Sequence, residues 1–312
     1  MSVYNGGPWG KEGRFLKMRF QTVSIFAETR KPGRTEMARR IVDRLASEGC
    51  EIRLSHDLQI SLDQNKGEPN DWDRLLDADL LVCVGGDGTM LRVAREAAEA
   101  KTAPCVCGVN AGRLGFLTAV PDEGLEVFLG ELMEGRYTIQ YRSLLRVERL
   151  GEEGVLSHGH ALNDVVLYSQ AEVARLLHLD MWVQGKEAAS YGCDGLILST
   201  PTGSTAHALS AGGPIVMPTL DAIIVAPICA HTLSNRPLVL SSEDIVEVRS
   251  SAEGQRLHAV LDGQVSWPFE KEDTLRVTVS DRRFPLLLGS SWEAFTVLKR
   301  KLHWRGRMIG DP

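Results

Sequence analysis

The feature that most restricts what this 312-residue chain can become is residues 79–100, DLLVCVGGDGTMLRVAREAAEA. Residues 80–84 are continuously apolar, the pattern of a parallel strand buried on both faces, and the run stops abruptly at Gly85-Gly86-Asp87-Gly88-Thr89. Helical spacing follows at once through Leu91, Ala94, Ala97 and Ala98, with Thr89 placed to cap the helix. A strand, a glycine turn and a helix in that order bring unpaired N–H groups and positive potential close to a bound phosphate. Asp87 fits poorly into simple anion binding, because a carboxylate repels phosphate. Three roles remain open to it: accepting a proton from a hydroxyl, reaching a metal, or capping the turn of an ordinary α/β domain.

Composition narrows the class. A formal net charge of −6 argues against a nucleic-acid-binding surface, which needs clustered Lys and Arg. The longest apolar stretch, 222–229, contains Pro227 and is far short of the roughly 20 residues a membrane-spanning helix requires. The N-terminus MSVYNGGPWGKEGRF has no apolar core for a signal peptide, so a cytoplasmic location is expected. Of the six cysteines, Cys105 and Cys107 share one face of an expected strand at no recognisable metal or disulfide spacing, and they read as buried thiols.

Residues 1–18 are rich in glycine and polar groups and read as a disordered leader. Residues 19–137 alternate strands (21–27, 51–54, 80–84, 104–110) with helices (35–48, 72–76, 122–133), separated at 55–70 by a polar, mobile loop. The first helix carries Met37, Ile41 and Leu45 on one face. Such alternation predicts an α/β domain with a parallel, Rossmann-like sheet. From 138 to 288 the period changes to short strands at 144–150, 161–168, 176–183, 195–199, 222–229, 245–249, 257–261 and 275–279, which predicts a mainly β domain. Residues 289–312 hold a helix at 292–304, striped by Phe295, Leu298 and Leu302, that is expected to pack back on the first domain.

Three further stretches carry chemistry. NAGRLGFL at 110–117 follows the carboxyl end of a parallel strand, where α/β folds bind ligands, and Phe116 offers a ring to a base. ALNDVVL at 161–167 places Asn163 and Asp164 side by side in an expected strand, where consecutive side chains point to opposite faces, so one of the two faces inward. Residues 199–214 pack hydroxyls, small residues and glycines into one loop and a short helix, an array of donors for phosphate and ribose oxygens.

GGDGT after an apolar strand, ALNDVVL, and DGLILSTPTGSTAHALSAGGPIV together resemble the NAD kinases. GGDGT alone is shared with diacylglycerol and sphingosine lipid kinases, while the long glycine- and threonine-rich stretch is specific. The resemblance runs from about residue 21 to 304 and includes NAGRLGFLT and HTLSNRPLVL. It implies the NAD kinase fold, an α/β N-terminal domain with a parallel sheet plus a mainly β C-terminal domain, with the NAD site at their junction. It further implies a homodimer or homotetramer, ATP or polyphosphate as donor, and a divalent metal ion, Mg²⁺. Neither nucleic acid nor membrane is an implied partner.

Residue by residue, the resemblance makes Asp87 the proton acceptor for the adenosine ribose 2′-hydroxyl, with Gly88 beside it on the dinucleotide. Asn163 and Asp164 would bind the ribose hydroxyls and pyrophosphate region, Asp164 standing where many members have the longer Glu. Asp194 would approach the nicotinamide end. Thr205, Ala206, His207, Ala208, Leu209 and Ser210 would line the adenosine and its ribose, His207 replacing the usual Tyr. Arg92, Arg175 and Gln264 fall at positions similar to NAD-contacting ones. Gly192 stands where members with glycine tend to accept NADH as well as NAD. No GxxxxGK[ST] loop and no HRD or DFG set is present, which excludes the two commonest nucleotide-kinase architectures. Two competing classes are a lipid kinase, which needs an apolar acceptor cavity and membrane association, and a nucleotide-binding regulator without turnover.

Overall fold

The computed structural model describes residues 20–62, 72–110, 112, 115–169, 176–232, 234–251 and 257–303. The expected leader, the second half of the 55–70 loop and Arg175 lie outside them. In chain order the elements are β1 (Thr22–Ala27), α1 (Arg34–Ser47), β2 (Glu51–Leu54), α2 (His56–Ser61), α3 (Trp72–Leu76), β3 (Leu80–Val84), α4 (Asp87–Glu99), β4 (Cys105–Asn110), β5 (Val120–Pro121) and α5 (Leu125–Met133). There follow β6 (Tyr137–Gly151), β7 (Gly154–Ala161), β8 (Asp164–Ser169), β9 (Leu177–Val183), β10 (Lys186–Cys193), β11 (Gly195–Ser199), α6 (His207–Ser210), β12 (Ala222–Ile228) and β13 (Leu238–Ser241). The last are β14 (Val246–Ser250), β15 (Leu257–Leu261), β16 (Val265–Phe269), β17 (Thr274–Gly289) and α7 (Ala294–Leu302).

The chain divides into two compact units, one made of Met1–Met90, Pro104–Gln140 and Leu286–Pro312, the other of Leu91–Ala103 and Tyr141–Pro285. In the first, β2, β1, β3 and β4 lie side by side in parallel, and Leu286 at the end of β17 pairs with Val106 on β4. All five residues of β3 are buried, as a strand covered on both faces requires. Val23, Ile25, Val82 and Val109 pack with Met37, Ile41 and Leu45 of α1 and with Leu125, Phe128, Leu129 and Leu132 of α5. The helix stripe read from spacing is thus the face that meets the sheet.

The second unit holds two antiparallel arrays. One contains β10, β9, β14 and β17 in that order, and the other runs β13, β12, β11, β8, β15, β16. Alternate residues of both, among them Leu179, Met181, Val246 and Val248 against Val165, Leu167, Leu196, Leu198, Ile223 and Val225, form one core.

Several sequence expectations change. The single strand at 161–168 is two strands, because β7 ends at Ala161, Leu162 and Asn163 make a bend, and β8 opens at Asp164. The cause is distant: Asp262 takes the N–H groups of residues 162–164 out of any strand ladder. Part of the polar loop is the helix α2, anchored by the fully buried Leu58. Thr89 does not cap α4; the helix begins at Asp87, and Gly86 O accepts from Thr89 N and Met90 N. Strands β7, β10, β13 and β16 escape a pattern search. β10, KEAASYGC, has no β-branched residue, and its pairing with β9 through the Gln184–Gly185 turn makes it a strand.

Truncating Ile25, which is fully buried between β2 and β3, is expected to cost about 2–5 kcal/mol of stability in a urea titration. Val127→Ala on the exposed face of α5 should change it by less than about 0.5 kcal/mol.

Candidate functional site

Asp87 opens α4 on the glycine turn after β3, and both oxygens of its carboxylate accept hydrogen bonds. Oδ2 accepts from Phe116 N at 2.8 Å, while Oδ1 accepts from Leu117 N at 3.0 Å, Thr118 N at 3.1 Å and Thr118 Oγ1 at 3.0 Å. Three successive backbone N–H groups of the NAGRLGFLT segment therefore converge on one side chain, which fixes that segment against the turn. Gly115 makes the approach possible, because a Cβ there would overlap Asp87 Oδ1 and Thr118 Oγ1. The segment is pinned again where Asn110 Nδ2 donates to Thr118 Oγ1 at 2.9 Å and Gly112 N donates to Asn110 Oδ1 at 2.9 Å. Phe116 is half-buried, with Lys301 Nζ 5.8 Å from its ring centre. Gly88 is exposed beside Asp87. Behind the turn, Glu28 pairs with Arg34 at 2.6 Å, and that guanidinium holds the Glu28 carboxyl below its ordinary range.

In the second unit the same arrangement recurs. Asp262, in the turn between β15 and β16, accepts from Leu162 N at 2.9 Å through Oδ2, and from Asn163 N at 2.8 Å and Asp164 N at 3.1 Å through Oδ1. Burial pushes its pKa up to about 7, opposed by the three N–H groups and assisted by the nearby Asp164 charge. Asn163 is half-buried and Asp164 wholly so. The Asp164 carboxylate meets His207 Nδ1 at 3.1 and 3.2 Å. The hydroxyl-rich loop runs Thr202–Thr205 as a 3₁₀ turn into α6. Gly203 lies so close to the 162–164 bend that an added Cβ would overlap Asn163 O.

His207 and Ser210 line a cavity of about 430 Å³ together with Val166, Tyr168, Ile197, Ala211, Ile228, Val260 and Gly263. Mostly apolar walls with a few polar side chains, Tyr168, His207 and Ser210, suit a flat heterocycle. Thr205 Oγ1 donates to Thr202 O at 3.3 Å, Ala208 is buried, and Ala206 and Leu209 are half-buried. Gln264 Oε1 accepts from Arg95 at 2.9 Å, while Arg92 is exposed one turn earlier on α4. Gly192 lies in β10 and the exposed Asp194 just after it; neither lines the cavity. A side chain at Gly192 would meet Leu176 only at ordinary contact distance. Cys105 and Cys107 are buried thiols, pushed by burial up to about 11 and about 12. Among the described residues no group of three or more His, Cys, Asp or Glu is placed to hold a metal ion, and no helix is long and apolar enough to cross a membrane.

Sequence reasoning missed Asp262, Thr200 and Thr118. Asp262-Gly263 between two apolar runs is a turn signal, while the burial of its carboxylate against residues 162–164 is set by contacts about 100 residues away.

A parallel α/β unit with a carboxylate on its glycine turn, and a β unit with a hydroxyl-rich loop, define a nucleotide-handling protein without a GxxxxGK[ST] loop. Family models for the ATP-NAD kinase N-terminal and C-terminal domains match residues 23–137 and 162–288. An NAD kinase of Solibacter usitatus is 34% identical over 287 residues, covering 92% of this chain and 99% of that protein. One of Paracidovorax citrulli is 37% identical over 299 residues, covering 93% and 98%. Among solved structures, an NAD kinase from Archaeoglobus fulgidus in complex with ATP superposes with a TM-score of 0.70 at 28% identity, covering 91% of this chain and 100% of the other. Yeast NADH kinase complexed with NADH shares the fold, with a TM-score of 0.81 at 24% identity over 93% and 90% of the two chains. The chain belongs to the NAD kinase family.

The Asp164 carboxylate raises the proton affinity of His207, with desolvation opposing it. A raised folded pKa means that the pair stabilises below the ordinary imidazole value and that this contribution is lost as pH rises through the folded value. The melting-temperature gap between wild type and His207→Gln should therefore be larger at about pH 6 than at about pH 8.5. An equal gap at both would remove the ion pair.

Proposed function

We propose that this NAD kinase transfers the γ-phosphoryl group of ATP to the 2′-hydroxyl of the adenosine ribose of NAD, giving NADP and ADP, with Asp87 as the proton acceptor. The observation that carries the role of Asp87 is its place on the glycine turn with both oxygens fixed by Phe116, Leu117 and Thr118. A carboxylate is far too weak a base to deprotonate a ribose hydroxyl in the ground state. It need not do so. In a loose transition state the ribose oxygen bonds to phosphorus as the bond to the bridging oxygen of ADP breaks, and the proton leaves late. A rigidly held carboxylate orients the hydroxyl in line and receives the proton as it becomes acidic. The donor is the magnesium complex of ATP, whose metal offsets phosphate charge.

Asn163 binds ribose hydroxyls of NAD; Asp164, wholly buried, holds the His207 ring; and His207 and Ser210 face the adenosine in the cavity of the second unit. The relatives bound to ATP and NADH support the two small-molecule partners. A homodimer or homotetramer and a cytoplasmic location complete the reading.

Asp87→Asn tests it. An amide oxygen in place of Oδ1 still accepts three of the four donors, so the fold should survive, with a loss of about 1–3 kcal/mol from the conflict at Phe116 N–H. NAD affinity should stay within a few fold by calorimetry, and NADP formation, read through an NADP-specific dehydrogenase, should fall at least about 10²-fold. Turnover near the wild-type rate would remove Asp87 from the chemistry.

A further inference from the structure

The bend that carries Asn163 and Asp164 is held from both sides. Its three N–H groups go to the Asp262 carboxylate. On the carbonyl side, Thr200 Oγ1 donates to Leu162 O at 2.6 Å, Thr200 N donates to Asn163 O at 2.8 Å, and Ser199 Oγ donates to the same oxygen at 3.0 Å. Asp262 N returns a bond to Asp164 O at 2.9 Å, so the turn and the bend are locked together. Asp262 adopts a φ of 50°, the left-handed region that Asp and Asn enter more readily than most residues. Only 8% of it is exposed. A carboxylate buried this far is tolerated only when its oxygens are satisfied, and here three backbone N–H groups of the bend donate to them.

We propose that Asp262 is a positioning residue for dinucleotide binding: its carboxylate shapes the 162–164 bend and thereby aims the half-buried Asn163 at the ribose of NAD. This rests on the reading of Asn163 as an NAD contact. Asp262 itself does not line the cavity. It holds residues 162 and 163 in a bend between β7 and β8, while β8 keeps its ladders with β11 and β15. The amide Asp262→Asn isolates this role, because Asn keeps the volume and tolerates the same φ. With its oxygen in place of Oδ1, its NH₂ meets Leu162 N–H, donor against donor.

The experiment is steady-state kinetics with NAD and ATP varied in turn, on wild type, Asp262→Asn, Asp262→Glu and Asn163→Ala, with the melting temperature of each. Asp262→Asn should raise KM for NAD about tenfold or more while KM for ATP stays within about twofold. Asp262→Glu keeps the charge one methylene displaced and should give a smaller rise in the same constant, which carries the test should the amide variant not fold. Asn163→Ala should raise KM for NAD as well. A wild-type KM for NAD in the Asp262 variants while Asn163→Ala raises it overturns the inference and leaves the site reading intact. So does a proportionate change in both KM values and kcat. An unchanged KM for NAD in Asn163→Ala too would overturn both.

Discussion

One interaction recurs in both units of the chain: a carboxylate that accepts three consecutive backbone N–H groups. Asp87 gathers Phe116, Leu117 and Thr118, and Asp262 gathers Leu162, Asn163 and Asp164. In each case one oxygen takes the first N–H and the other takes the second and third. The physical need is mutual. Buried N–H groups in an irregular segment have no ladder to satisfy them, and a buried carboxylate is costly without donors. Hydrogen bonds to a charged acceptor are worth about 1.5–3 kcal/mol each, roughly twice a neutral bond, so three of them specify one backbone shape strongly. A segment held in this way presents its remaining groups in a fixed direction without belonging to a helix or strand.

The arrangement constrains the neighbouring sequence. Two approaches require an absent side chain, at Gly115 against Asp87 and at Gly203 against the Asn163 carbonyl. The hydroxyls of Ser199 and Thr200 have a structural task on the carbonyl side of the 162–164 bend. The hydroxyl-rich loop is therefore partly scaffold. Its exposed end, at His207 and Ser210, is left to face the cavity. The His207–Asp164 pair joins α6 to β8 through a titratable contact.

How much of this was legible in the sequence follows from the range of each interaction. β3, the helix stripe on α1 and β11 were readable because their pattern is local: five apolar residues in a row, or Met37, Ile41 and Leu45 at helical spacing. Asp87 stood out because a carboxylate conflicts with a phosphate turn. Its four donors did not, since they lie about 30 residues away. The break between β7 and β8 was invisible for the same reason. ALNDVVL reads as one strand until Asp262, 98 to 100 residues later, claims the N–H groups. The hairpin partners β10 and β16 carry weak strand patterns of their own and become strands by pairing with β9 and β15.

Amide hydrogen exchange at Phe116, Leu117, Thr118, Leu162, Asn163 and Asp164 in the unliganded wild-type protein measures the recurring interaction most directly. None of the first five lies in a helix or strand, and Asp164 only opens one. If the two carboxylates hold their backbone segments as described, all six amides exchange as slowly as those of the adjoining strands β3 and β8. Exchange at the rate of an ordinary surface loop at either trio would contradict the account for that carboxylate.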